Sequence, residues 1–275
     1  MPPPAPAAMA IAAHPDDIEF LMAGTLRLLH EAGWDTHYLT LANGCCGSLT
    51  HGLAETTRLR RREARESARM LGAAFHPSLT GDMTILYGMP LLRRLAAVIR
   101  KVSPTVLLVP SPQDYMEDHT ETCRLAVSAT FVRSLPNFRT VPPRRPTSQD
   151  VTIYHAMPHG LRDPLRRKVV PGLFVDTTRV HALKQRALGA HRTQAGFLAD
   201  TQSMGSYLRV MEDMSAEVGR QSGRFRHAEG WRRHLHYGYC AADADPLAGA
   251  LGPACLVSRR YEADLDSPRH SNTRR

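Results

Sequence analysis

The stretch Ala7-Ala8-Met9-Ala10-Ile11-Ala12-Ala13-His14-Pro15-Asp16-Asp17 is a short run of small apolar residues that stops at a polar turn. A helical pattern follows from about Ile18 to Ala32 and is closed by Gly33 in the C-cap role, so the segment reads as strand, loop and helix. Further along, Thr36 to Leu41 alternates and carries β-branched and aromatic residues, which predicts a second strand. The loop Asn43-Gly44-Cys45-Cys46-Gly47-Ser48 leaves its end. A helix over Ala54 to Leu71 is stopped by Gly72, Ala73 to Phe75 reads as a short strand, and a helix over Leu91 to Val102 ends before Pro104. Thr105 to Val109 is a continuous apolar run, typical of a strand covered on both faces.

This alternation predicts an α/β fold: a mostly parallel sheet with right-handed crossovers and helices on both faces, plus a less regular C-terminal part. Ligands of such sheets bind beyond the carboxyl ends of the strands. His14 to Glu19 and Pro110 to His119 each follow a predicted strand, so both are expected on that rim. In the second half, Val151 to His155 and Leu173 to Asp176 read as strands, and Val180 to His191 and Ser206 to Val218 as helices; Pro136 to Pro146 is a connection. No repeat or linker divides the chain, so a single domain is expected over residues 1–260, with a polar, disordered tail over 261–275.

With 275 residues and 43% hydrophobic content the chain can bury a sizeable core. No apolar run approaches the roughly 20 residues that cross a bilayer. The N-terminal Pro/Ala stretch lacks the basic flank and apolar core of an export signal. Five cysteines without paired spacing, Cys45, Cys46, Cys123, Cys240 and Cys255, fit reduced thiols in the cytoplasm. The net charge of +9 raises nucleic acid as a partner. However, Arg58, Arg60, Arg61, Arg62, Arg65 and Arg69 are interleaved with Glu63 and Glu66 on one predicted helix, which favours a solvated surface over nucleic acid. Attraction of an acidic small-molecule substrate is the remaining use of that charge.

Catalytic zinc commonly takes three ligands from His and Asp or Glu, two close in sequence and one distant, and keeps a position open for water. His14, Asp17 and His119 satisfy that arrangement, and Asp16 between the first two is then free to act as a general base. A plainer reading stands beside this one. Asp16 and Asp17 are also good N-caps for the following helix, and Asp118-His119-Thr120 resembles a cap too.

Ala13-His14-Pro15-Asp16-Asp17-Ile18-Glu19, directly after the first strand, closely resembles the Ala-His-Pro-Asp-Asp-x-Glu signature of the PIG-L, or LmbE-like, N-deacetylase family, which includes zinc enzymes acting on N-acetylglucosaminyl substrates. Asn43-Gly44 with Gly47-Ser48, Arg60 with Glu63, Leu71-Gly72, Asp118-His119, Asp176, Lys184 and His191-Arg192-Thr193-Gln194 extend the resemblance over roughly residues 8 to 195. It implies a Rossmann-like sheet, zinc held by His14, Asp17 and His119, Asp16 as general base, and Arg60 as the substrate-binding arginine. One departure matters. Where the family often reads His-Pro-Asp-His this chain has Met116-Glu117-Asp118-His119, and Met116 cannot transfer a proton. Tyr115, Asp118, His155, His159 and His191 are the candidates for the missing acid or oxyanion partner, unless zinc alone suffices. Cys45 and Cys46 are read as small residues at the pocket rim, with redox sensitivity or metal binding as the alternatives, and Trp34 and Trp231 as packing residues.

The expected activity is therefore zinc-dependent removal of an N-acyl group, acetyl foremost, from an amino sugar or sugar conjugate, with zinc-bound water as nucleophile. The alternative is a degenerate zinc- and sugar-binding member with little turnover. A nucleotide-dependent oxidoreductase on the same sheet is disfavoured, because the first turn holds no Gly-x-Gly-x-x-Gly. The sequence leaves the acceptor and homo-oligomerisation open.

Overall fold

The computed structural model describes residues 5–202 and 207–266, with side chains described except at 198–202 and 266. Ser206, most of the expected tail and the first four residues of the Pro/Ala stretch lie outside the described residues. The first half runs β1 (Ala7–Ala12), α1 (Asp17–Leu21), α2 (Ala23–Glu31), β2 (Asp35–Thr40), α3 (Leu53–Leu71), β3 (Ala74–His76), α4 (Met89–Val102), β4 (Val106–Val109) and α5 (Glu117–Phe131). The second half runs β5 (Thr152–Ala156), β6 (Leu173–Asp176), α6 (His181–Gly189), α7 (Arg192–Gln202), α8 (Tyr207–Ser222), β7 (Ala228–Arg233), α9 (Pro246–Leu251), β8 (Cys255–Val257) and α10 (Arg259–Asp266).

The strands form one sheet in the order β3-β2-β1-β4-β5-β7-β6-β8. β1 to β5 are mutually parallel, whereas β7 runs antiparallel to both β5 and β6, and β8 antiparallel to β6. The α/β, mostly parallel sheet read from the sequence is the observed fold. Ala8, Ala10, Val106 and Leu108 face α2, α3 and α8, while Met9, Ile11, Leu107 and Val109 face α4 and α5, so alternate residues of each central strand feed separate apolar layers. β2 and β3 extend the sheet from β1 in one direction and β5 extends it from β4 in the other, which makes the β1–β4 boundary the switch point, the place beyond whose carboxyl ends ligands of such sheets bind. Among the described residues, no helix is long and apolar enough to cross a membrane.

Three local expectations change. The helix expected from Ile18 to Ala32 is two helices broken at Met22 (φ −136°). The restart is made by Glu229 of β7, which accepts hydrogen bonds from Gly24 N (2.8 Å) and Thr25 N (2.7 Å) at the start of α2, where a negative charge is stabilised. Gly24 is needed there, since a Cβ would lie 2.4 Å from Thr177 Cγ2. β7 itself was not expected: its Ala-Glu-Gly-Trp-Arg-Arg run hides a strand because Glu229 is buried through Lys184 Nζ at 2.7 Å rather than exposed. Finally, α10 reaches into the segment expected to be a disordered tail. Tyr261 packs where a Cβ on Gly172 would lie 2.6 Å from its ring, and Glu262 pairs with Arg233 at 3.2 Å.

Candidate active site

β1 ends two residues before His14, and the turn that follows holds Asp16 at φ 116°, a conformation unfavourable for a residue with a side chain. Such strain persists only where surrounding contacts impose it. Here Tyr207 Oη donates to Asp16 Oδ2, and Arg60 Nη2 donates to Pro15 O and stands 3.6 Å from Asp16 Oδ1. Asp16 occupies the N-cap position of α1 yet makes no side-chain cap bond, so capping does not explain it. Asp17 instead turns its carboxylate back and accepts from His14 N at 2.8 Å.

The carboxyl end of β4 leads to Asp114 and then to His119 in the first turn of α5. His14, Asp17 and His119 each direct one donor atom to a common point, all within 4.8 Å of one another. Asp17 Oδ2 lies 3.6 Å from His14 Nδ1 and 3.4 Å from His119 Nε2. The outward nitrogens are each held by a carboxylate: His14 Nε2 by Asp118 Oδ2 (2.9 Å) and His119 Nδ1 by Asp114 Oδ1 (2.8 Å). This pattern fixes ring orientation at metal centres. The donor set fits a catalytic metal, with two imidazoles and one carboxylate converging and each outer nitrogen oriented.

The charges match that geometry. Burial pushes the Asp16 carboxyl up to about 6, against the opposing pull of Arg60. Burial also acts to raise Asp17, but His119 and His14 overcome it and hold Asp17 well below the usual carboxylate range. For His14 and His119 burial opposes protonation, yet Asp118 and Asp17 raise His14, and Asp17 and Asp114 raise His119. Asp17, Asp114 and Asp118, each against one or both histidines, thus concentrate negative potential where a cation would sit.

The pocket around them, a cavity of about 220 Å³, is lined by His14, Asp16, Asp17, Arg60, His119 and His159, among others. Arg60 is buried, whereas its neighbours Arg58 and Arg61 are exposed. Its guanidinium also donates to Gln194 Oε1, and Gly44 and Gly47 make room for it: a Cβ on either would come within 3 Å of it. His159 lines the pocket, edge-on to Phe20, and burial holds it below the usual imidazole value. His155 is not brought there. It bonds to His234 at 2.9 Å and Pro110 O at 3.2 Å, outside the pocket lining. Asp118 orients His14 and accepts from Met83 N; burial acts to raise it, but His14 and Met83 N prevail and keep it ionised, which suits an orienting group more than an acid. His191 is fully buried, 3.1 Å from Glu19, and Glu19 accepts from Tyr38 and Ser67 beneath the site. Tyr115 and Met116 sit on the pocket wall.

Two contributors were missed. Asp114 had a visible signal, a carboxylate in the same strand-end loop as His119. Tyr207 had none, since it lies 191 residues from the Asp16 it bonds. Asp114→Asn keeps an acceptor near His119 but loses the charge, and is expected to weaken metal binding at this site by roughly 10- to 100-fold in competition with a chelator.

Residues 9–130 match the family model described as PIG-L, GlcNAc-PI de-N-acetylase. A diacetylchitobiose deacetylase of Thermococcus kodakarensis is 30% identical over 232 residues, covering 82% of this chain and 81% of that protein. The structure of the N,N'-diacetylchitobiose deacetylase from Pyrococcus horikoshii with its inhibitor superposes with a TM-score of 0.70 at 25% identity, covering 88% of this chain and 89% of that one. A 4-oxalmesaconate hydratase of Pseudomonas putida is 28% identical over 195 residues, 67% of this chain and 72% of that protein.

Proposed function

The chain belongs to the PIG-L family, and on that footing we propose that residues 1–260 act as one zinc-dependent hydrolase domain that removes an N-acyl group, acetyl foremost, from an amino sugar or sugar conjugate. The observation that carries this reading is the convergence of His14, Asp17 and His119 with Asp16 beside them in one pocket. The two diacetylchitobiose deacetylases support an N-acetylated amino sugar as the substrate class.

His14 Nδ1, Asp17 Oδ2 and His119 Nε2 would hold the zinc. When bound, zinc supplies a Lewis acid that lowers the pKa of water toward neutrality and polarises the acyl carbonyl. Asp16, ionised at neutral pH but more basic than an exposed carboxylate, takes a proton from the attacking water as its oxygen bonds the acyl carbon. It returns that proton to the nitrogen as the C–N bond breaks, giving a carboxylic acid and a free amine. Tyr207 and Arg60 keep Asp16 in its strained position throughout.

His159 takes over the role that Met116 cannot perform. Half-buried and neutral, it offers an N–H to the acyl oxygen as charge develops there. His159→Ala is expected to lower kcat by about 100-fold, the scale of losing one oxyanion donor, with zinc content unchanged. An effect confined to KM would remove it from this role. Asp16 and His159 in one pocket also speak for turnover, against the degenerate binding protein that Met116 alone suggests.

The hydratase relative favours a second reading, in which the same residues add water to a substrate without cleaving it. Zinc-loaded protein assayed against N-acetylated amino sugars and against 4-oxalmesaconate separates the two. Amine release from a sugar is expected, and consumption of 4-oxalmesaconate without any amine release would replace the proposal.

A further inference from the structure

We propose that Cys45, Cys46 and Asp82 form a second cation site at the wall of the same pocket, one that takes a thiophilic ion such as Zn²⁺. The three side chains each place one donor atom within 4.8 Å of the others. Adjacent thiols seldom converge on one ion, yet here Cys45 Sγ and Cys46 Sγ are 3.9 Å apart. Two thiolates on a tetrahedral zinc with bonds of about 2.3 Å stand about 3.8 Å apart, so the pair already has the bite the ion needs. Asp82 is positioned in advance: Gly44 N donates to Oδ1 at 2.7 Å and Cys46 N to Oδ2 at 2.8 Å. Each carboxylate oxygen retains a further lone pair for an ion. The same two bonds tie Asp82 to the loop that carries the thiols, so ligand and support move as one unit.

Binding involves no redox change. Both thiols lose their protons to solvent, two Zn–S bonds and one Zn–O bond form, and a water completes the tetrahedron. The site differs from the His14–Asp17–His119 centre in being thiolate-rich, which selects softer ions. Because Cys46 and Asp82 line the pocket together with His14, Asp17 and His119, an ion there occupies space the substrate needs. Zinc beyond one equivalent should therefore suppress turnover; this consequence rests on the deacetylase reading, whereas the site itself does not.

The test uses the full chain, kept reduced with a phosphine and titrated with cobalt(II). Wild type is expected to bind two ions and to develop the near-ultraviolet thiolate-to-cobalt charge-transfer band. Cys45→Ser/Cys46→Ser should lose the band and one ion, while His119→Ala, altered at the other centre, should keep the band. A measurement that needs no variant is alkylation of wild-type Cys46, which excess zinc should block. Absence of the band in wild type, its persistence in the double serine variant, or undiminished alkylation under zinc would each overturn the proposal. If the band behaves as expected but no condition gives amine release, the deacetylase reading fails and the thiol site stands.

Discussion

Asp16→Asn is expected to lower kcat by about 10²- to 10⁴-fold, the usual range for a positioned general base, while the zinc content of the protein stays unchanged. The side chain keeps its shape and its contact with Tyr207 but can no longer accept the proton. The pH profile offers the same test without a mutation. As the proposed general base, Asp16 would work in its ionised form, so activity is expected to fall as pH drops through its pKa. Burial sets that value at about 6 without a bound ion, and a cation nearby lowers it further, so the acid limb of the zinc-loaded enzyme should lie at or below pH 6. A variant retaining more than a tenth of wild-type kcat would show that another group takes the proton.

Lys184→Met is expected to destabilise the fold by about 3–5 kcal/mol, because it leaves the Glu229 carboxylate buried without its cation. Lys184 and Glu229 are each almost fully buried, and Glu229 also caps α2 through Gly24 N and Thr25 N. The loss should appear in urea as a lower midpoint with an unchanged slope. The double variant Lys184→Met/Glu229→Gln should recover part of it, since the uncompensated charge is then gone. A single-variant change within about 0.5 kcal/mol, typical of an uninvolved surface position, would show that Glu229 does not depend on this partner.

The first half of the fold was legible because its information is local. Small apolar strands, Gly33 and Gly72 as stops, and the turn after β1 all declare themselves within a few residues. The same locality brought His14, Asp16 and Asp17 into view together. What escaped depends on distant partners. The break at Met22 exists because Glu229, 205 residues beyond Gly24, caps the restart there, and β7 is disguised by that same charged residue. Of the acid candidates, His159 reaches the pocket and His155 does not. His155 lies in β5 with its ring bonded to Pro110 O and His234, while His159 lies in the loop beyond, its N donating to Asp114 Oδ2 at 3.0 Å. Strand-end position alone could not separate two histidines four residues apart.

The most direct test is acetate release from an N-acetylated amino sugar by protein stripped of metal and then reloaded with one equivalent of zinc. Release that is absent in the stripped protein and restored by zinc in wild type, but not in Asp16→Asn, is the predicted result. Equal release with and without zinc would contradict a metal-dependent site at His14, Asp17 and His119, as would wild-type protein that takes up no zinc.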